Sequence, residues 1–275
     1  MSVQQYANQV AGKTPIVVIF TGHLLKPTCA IEYDHYKTIS ETNPKLLAIL
    51  PFCCYVVHNG NATPIRAEEC QQCSGEDPRK IEKKLNDVAP FGYHIMLHDY
   101  AHNMVSPRIA DLKLGRRTWG DDKTEEKKRT MAANDAASTS ATLGIRLSGG
   151  VMTVEGILEK LDKENRGIFT DAQLIEYLKK FFTLPKQQVV SAHRQILEIQ
   201  KIINQSKDWS FIGASILLIV DETPKTDIAN TVVVKLIDMA HSTIRTLEEP
   251  DESALFGLES LRAILEEILE TGNMG

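Results

Sequence analysis

Asp111 and Lys113 stand two positions apart in the run Pro107-Arg108-Ile109-Ala110-Asp111-Leu112-Lys113-Leu114-Gly115. In a strand, alternate residues share a face, so the carboxylate and the ammonium would project together while Leu112 and Leu114 turn the other way. Such a pair can orient a hydroxyl and neutralise a phosphoryl group in transfer. Taken by itself, a D-x-K pair reads more simply as a surface ion pair. Another acid, Asp238, ends the nearly continuous apolar run Val232-Val233-Val234-Lys235-Leu236-Ile237 and precedes Met239-Ala240-His241-Ser242. A carboxylate at the end of a buried strand is costly unless it is paired or holds a metal. Magnesium favours carboxylates together with substrate phosphates. The competing reading is an Asp that caps the following turn. Asp221 also ends an apolar run, but Glu222-Thr223-Pro224 after it reads as an exposed loop. Lys26 and Glu32 form a third constellation. A strand lysine paired with a helix carboxylate holds the nucleotide phosphates in protein kinases; the plainer account is a surface lysine before Pro27.

The cysteines offer a different chemistry. Cys70-Gln71-Gln72-Cys73 is a C-x-x-C, with Cys53-Cys54 upstream. Four thiols could bind zinc, but adjacent cysteines are not the usual ligand spacing, and buried or loop thiols are the expectation. Asp162-Lys163-Glu164-Asn165-Arg166-Gly167 resembles the start of an EF-hand loop, yet Arg166 occupies the fifth position and Gln173 the twelfth, which argues against calcium. The chain lacks a Walker A loop and a kinase-type GxGxxG, which disfavours a P-loop fold.

The elements that must position these groups are short and mixed. Strand patterns occur at Ile16 to Phe20, at Leu24 to Lys26 (ended by Pro27), at Phe52 to Val57 and at Tyr93 to Leu97. Glu32 to Ser40 and Lys80 to Val88 have helical spacing, and Cys70 to Pro78 reads as a polar loop. Further on, Ile109 to Leu114 is a strand broken by charge, and Lys123 to Ala133 a charged helix. Ala141 to Leu147 and Val151 to Val154 read as a strand pair around Gly149-Gly150. Asp171 to Phe182, Val189 to Asn204 and Phe256 to Leu269 are amphipathic helices. Ser215 to Val220 and Val232 to Ile237 are buried strands. The layout predicts a mostly β lobe over 1–97 and a larger α/β lobe over 98–275.

The 275 residues suffice for two lobes. Hydrophobic content of 43% and charged content of 24% are those of a globular protein. A net charge of −5 argues against a nucleic-acid partner. No run approaches a membrane span, and no secretory signal is visible. Lys113, Arg116, Arg117, Lys123, Lys127, Lys128 and Arg129 nevertheless cluster, which suits a small polyanion.

In this order the pieces resemble the inositol polyphosphate kinase family. Its signature PxxxDxKxG is matched by Pro107, Asp111, Lys113 and Gly115. Its serine-leucine-leucine strand is matched by Ser215-Ile216-Leu217, and its IDFAH by Ile237-Asp238-Met239-Ala240-His241. Its closing GLxxL is matched by Gly257-Leu258-Glu259-Ser260-Leu261. Gln9-Val10-Ala11-Gly12 and Leu25-Lys26-Pro27 are similar too, so the resemblance runs from about Gln9 to Leu269. Gly120-Asp121-Asp122, Lys127 and Ser138 to Gly144 look like the inositol hexakisphosphate kinase branch, while Arg117-Thr118-Trp119 resembles some multikinases.

The resemblance implies an α+β, two-lobe, protein-kinase-like fold with antiparallel sheets and a helical inositol-phosphate-binding segment at about 117–135. It implies ATP and Mg2+, with Lys26 at the phosphates, Glu32 supporting it, and the backbone of Leu97-His98-Asp99-Tyr100 at the adenine. Asp238 would hold the metal. Asp111 and Lys113 would be catalytic, with Lys113, Arg116, Arg117, Lys127 and Lys128 toward the inositol phosphate. The expected reaction is phosphorylation of inositol hexakisphosphate to a pyrophosphate product. The alternatives are a multikinase acting on tris- and tetrakisphosphates and a catalytically silent inositol-phosphate-binding scaffold. A cytoplasmic, also nuclear, monomer without nucleic acid or membrane span is expected. His98 replaces a usual Glu, Lys13 a frequent His and Met239 the usual Phe. The chain also lacks the long insertions of many relatives, which would leave its substrate site open.

Overall fold

β-Branched and aromatic runs bounded by turn residues build one antiparallel sheet early in the chain and a second one later. The computed structural model describes residues 4–12, 14–121, 123–154, 157–161, 168–223, 231–245 and 249–271. The EF-hand-like stretch 162–167, Lys13 and Asp122 lie outside them. The chain divides into two compact units, Met1–Asn103 and Met104–Gly275. The division falls after Asn103 rather than after Leu97 because the segment following Leu97 is tied into the first unit. The Asp99 amide donates to Gly22 O at 2.9 Å, Tyr6 Oη donates to Asp99 Oδ1 at 2.9 Å, and the Phe52 amide donates to Tyr100 Oη at 2.8 Å.

The first unit contains β1 (Gln4–Gln5), β2 (Val17–Phe20), β3 (His23–Thr28), α1 (Ala30–Thr42), α2 (Pro44–Ile49), β4 (Cys53–His58), β5 (Asn61–Pro64), α3 (Gln71–Ser74), α4 (Pro78–Val88) and β6 (Tyr93–His98). The strands lie in the order β1-β2-β3-β6-β4-β5. β3 does not stop at Pro27 but continues to Thr28. Pro27 lies past the end of β2, where β3 pairs with β6 on one side, so the missing N–H removes no bond to β2. Cys70 to Pro78 is not a plain polar loop either. It forms a helical turn whose Cys70 and Cys73 join a core with Ile19, Leu25, Cys54, Val57, Ile81 and Leu85.

The second unit contains β7 (Pro107–Leu114), α5 (Glu125–Ala136), α6 (Thr139–Leu143), β8 (Ile145–Val154), β9 (Ile157–Leu161), α7 (Asp171–Phe181), α8 (Lys186–Gln205), β10 (Trp209–Ser210), β11 (Ser215–Asp221), β12 (Val232–Ile237), β13 (Thr243–Ile244) and α9 (Glu252–Thr271). Its main sheet runs β12-β11-β7-β8-β9, all antiparallel, and β10 pairs separately with β13. Leu112, Leu114, Ile216, Leu218, Val234 and Leu236 are buried. α8 packs on β12 and α9, and α9 packs on β7 and β8.

Two expectations fail here for identifiable reasons. Ala141 to Leu143 closes a short helix, with Gly144 as its left-handed cap. The strand then runs unbroken through Gly149-Gly150, with a register shift opposite Asp111 and Leu112. Gly150 is small because a Cβ there would lie 2.1 Å from Tyr177 Oη. Burial raises the pKa of that phenol, and the neighbouring Glu159 adds to the effect. The other failure is Asp221. It is buried, and its two carboxylate oxygens accept the amides of Val105 and Ser106 at 3.0 Å each, fixing the chain just before β7.

The signature glycine and the closing glycine have one packing cause. Gly115 (φ 93°) ends β7, and its amide donates to Gly144 O at 2.7 Å. A Cβ on Gly257 would lie 2.2 Å from that same Gly144 oxygen, a backbone atom that cannot swing aside. Helix α9 therefore rests directly on the end of the signature strand. Gly257→Ala should destabilise the chain by about 1–3 kcal/mol through overpacking, although alanine is the better helix former by about 1 kcal/mol. Chemical denaturation tests this, and an unchanged or raised midpoint would refute the close approach.

Candidate active site

The register of four strands assembles the second unit's charged face. Lys113 on β7 pairs with Ser215 on β11, which pairs with Ile237 on β12. On the other side Lys113 pairs with Arg146 of β8. The next row is Asp111, Leu217 and Lys235. Directly paired residues project to one side of a sheet. Asp111, Lys113, Arg146 and Lys235 therefore share the face opposite the buried leucines. Asp111 is buried at 5% exposure, whereas Lys113 is half-buried.

Asp238 follows directly on the last residue of β12 and adopts φ 63°, ψ 60°. A non-glycine residue there carries strain of order 1–3 kcal/mol, which the surroundings must hold in place. Its side chain makes no capping bond to the 3-10 turn Met239–His241, so the capping reading of this Asp does not hold. Its carboxylate instead lies 3.4 Å from Lys113 Nζ, which also donates to Gly213 O at 3.0 Å. Gly213 has φ 73°, and a Cβ on it would crowd His241 and the Thr118 carbonyl. The lysine head is thus held between a carbonyl and a carboxylate near the end of the sheet's central strand.

In the first unit, Lys26 Nζ donates to both oxygens of Glu32, at 3.1 and 3.0 Å. Glu32 is 2% exposed and also accepts a hydrogen bond from Thr28 Oγ1. The lysine lies on β3, and Glu32 in the first turn of α1. This buried, bidentate arrangement is not the surface lysine of the plainer reading. Leu97 and His98 end β6, and Asp99 and Tyr100 begin the following turn. The His98, Asp99 and Ala101 amides donate within the unit, to Phe52 O, Gly22 O and Asp99 Oδ1. Burial lowers the His98 pKa to about 4, and its ring stacks on Phe52 at 4.1 Å.

The basic cluster is organised differently from the expected helix over 117–135. The helix starts at Glu125, where Thr124 accepts the Lys127 amide as an N-cap, and Arg116 to Asp121 lie outside any helix. Arg116 lies over the Phe256 ring at 3.7 Å, and Arg117 over Trp119 at 4.1 Å. Arg117 also pairs with Asp121, and Lys128 with Glu125 at 2.8 Å. Lys127 is exposed. Arg116, Arg117, Trp119 and Asp135 line an open groove of about 390 Å³. Its floor is set by Asp135, which is buried and accepts from Thr118 N at 2.9 Å and Thr118 Oγ1 at 2.7 Å. Asp135 also lies 3.4 Å from Arg146.

Arg146 and Asp135 were not singled out from sequence. The alternation Ile145-Arg146-Leu147 marks Arg146 as outward-facing, but its place beside Lys113 depends on a register that the neighbouring glycines obscured. Arg108, inside the signature, proves to be a brace. It donates to the carbonyls of Lys180 and Phe181 at 2.9 Å each and to Glu222.

The inositol polyphosphate kinase family model matches residues 94–266 of this chain. The chain therefore belongs to the inositol polyphosphate kinase family. Inositol polyphosphate multikinase of Schizosaccharomyces pombe is 27% identical over 274 residues, covering 95% of this chain and 96% of that one. Mouse inositol hexakisphosphate kinase 3 is 30% identical over 201 residues, covering 64% of this chain and 51% of that one. The chain thus spans about half the length of that hexakisphosphate kinase. Among solved structures, the Saccharomyces cerevisiae inositol phosphate multikinase in complex with ADP and Mn2+ matches with a TM-score of 0.69 at 18% identity. That match covers 90% of this chain and 99% of that one, and shows a shared fold. No helix among the described residues is long and apolar enough to cross a membrane.

The role of Asp135 can be tested on stability. Asp135→Asn keeps the shape but removes the charge that Thr118 and Arg146 bind. It should lower unfolding stability by about 1–3 kcal/mol. An unchanged denaturation midpoint would mean that the acid does not anchor the Arg116 to Trp119 turn.

Proposed function

We propose that this chain is an ATP-dependent inositol phosphate kinase of the multikinase type, acting on inositol tris- and tetrakisphosphates. The observation that carries the kinase reading is Lys113 held between Gly213 O and the strained Asp238, on the sheet face shared with Asp111. A phosphoryl transfer needs positive charge where the moving group's oxygens lie and a carboxylate to orient the attacking hydroxyl. Lys113 supplies the first and Asp111 the second, its burial favouring one orientation.

Asp238 fits a divalent cation, because its carboxylate makes no capping bond to the turn that follows and lies within 3.4 Å of Lys113, where phosphate charge would be neutralised. Magnesium held there would neutralise phosphate charge. The Lys26–Glu32 pair supports the reading that Lys26 contacts the nucleotide phosphates, with Glu32 fixing its head. Arg116 and Arg117 present guanidinium groups along a groove of a size suited to a small polyanion, and Lys127 and Lys128 lie on the helix nearby. Arg146 joins this set as a further cation beside Lys113.

The stretch Gly120 to Gly144 favours hexakisphosphate, and the 30% identity to a hexakisphosphate kinase supports that second reading. The multikinase relative, however, aligns over 95% of this chain, against 64% for that hexakisphosphate kinase, and this wider coverage supports the multikinase reading.

Asp111→Asn should reduce turnover of inositol tris- or tetrakisphosphate by about 10²–10⁴-fold at unchanged melting temperature. Near-normal turnover in the folded variant would refute its role, and no turnover by the wild-type chain on any inositol phosphate would favour the silent scaffold. For the acceptor, anion-exchange chromatography of the products should show new monoesters from tris- and tetrakisphosphates. Pyrophosphate product from hexakisphosphate, with the lower phosphates untouched, would overturn the multikinase assignment.

A further inference from the structure

Beside His98 at the end of β6, the first unit carries four potential metal ligands converging on one point. His23 begins β3, Cys54 lies on β4, Cys70 caps the start of α3 and Cys73 lies within it. All four are buried, and one ligand atom from each lies within 4.8 Å of every other. His23 Nε2 is 3.4 Å from Cys70 Sγ and 3.6 Å from Cys73 Sγ. A tetrahedral zinc with Zn–S near 2.3 Å and Zn–N near 2.0–2.1 Å sets S···S edges of about 3.8 Å and S···N edges of about 3.6 Å. The cluster needs to contract by about an ångström at its widest to reach that geometry.

The adjacent pair Cys53-Cys54 argued against zinc from sequence, and the strand resolves that objection. Successive residues of a strand point to opposite faces. Cys54 enters the cluster, whereas Cys53 turns away and donates to Tyr55 O at 3.3 Å. The fourth ligand is a histidine remote in sequence, brought in because β3 and β4 both flank β6.

The surroundings are those of a ligand set. His23 Nδ1 lies 3.2 Å from the Thr21 carbonyl, so an N–H there leaves the Nε2 lone pair facing the sulfurs. The Cys73 amide donates to Cys70 Sγ at 3.4 Å, and His98 Nε2 lies 3.2 Å from the same sulfur. Both contacts suit a thiolate better than a thiol. Three thiols and an imidazole packed into an apolar core would otherwise leave weak, poorly satisfied polar groups there.

We propose that His23, Cys54, Cys70 and Cys73 form a structural zinc site of the Cys3His type. The set is closed, with four protein ligands and no open position, so its role is to hold β3, β4 and the α3 turn together. It stands independently of the kinase reading.

The test is metal analysis of the intact chain purified under reducing conditions without chelator. About one zinc per chain is expected by mass spectrometry of the metals. Replacement by Co2+ should give the intense visible bands and thiolate charge-transfer absorption of a tetrahedral sulfur site. Cys73→Ser should lower zinc content at least tenfold or abolish folding, while Cys29→Ser, at an exposed thiol, should leave it unchanged. Should Cys73→Ser not fold, the zinc content and cobalt spectrum of the wild-type chain decide. A folded wild-type chain without zinc, or one giving the weak spectrum of octahedral cobalt, would overturn the proposal. So would a Cys70–Cys73 disulfide in the folded chain under those conditions.

Discussion

The second unit turns on a single contact, the approach of Asp238 to Lys113. Neither residue could make it from its own element. Lys113 must leave β7 on the face opposite the buried leucines, and β11 must set the register that brings the end of β12 level with it. The chain must then take a left-handed step at a residue that has a Cβ. A one-residue slip of β7 would turn Lys113 into the leucine core, and a slip of β12 would carry Asp238 out of reach; either breaks the pair. The long apolar runs of β11 and β12 are what forbid that slip, so the core specifies the charged face.

The glycines act in the same direction. Gly115, Gly144 and Gly257 meet where β7 ends, α6 closes and α9 passes over them. Their contact fixes the exit of the signature strand, and with it the turn that carries Arg116 and Arg117. Asp221 fixes the strand's entrance through two backbone amides, and Arg108 braces its outer flank. The signature is therefore as much a packing motif as a chemical one: Asp111 and Lys113 present charge, while Arg108 and Gly115 hold the strand that presents it.

Much of this was legible in the sequence because the governing patterns are strong. Apolar runs located β11 and β12, and helical spacing located α7, α8 and α9. The ordered motifs pointed to the family that the comparisons establish. What escaped depended on long-range register or on side chains meeting across elements. Gly149-Gly150 has the composition of a turn, yet its small size serves Tyr177 within a continuous strand. Asp221 looked like a loop residue because the amides it binds lie more than a hundred positions away. The helical segment expected over about 117–135 starts only at Glu125, because Thr124 caps it. Cys53-Cys54 looked like poor ligand spacing because the cluster takes only Cys54 of that pair and draws its fourth member, His23, from a remote strand.

On the proposed function, the Lys113–Asp238 contact is where a divalent cation and phosphate charge would be held. Mn2+ binding in the presence of ADP, followed by electron paramagnetic resonance in the wild-type chain and in Asp238→Asn, tests this directly. The wild-type chain is expected to sequester Mn2+ with the nucleotide, and the folded variant to bind it at least tenfold more weakly. Equal Mn2+ binding by the two proteins would contradict it.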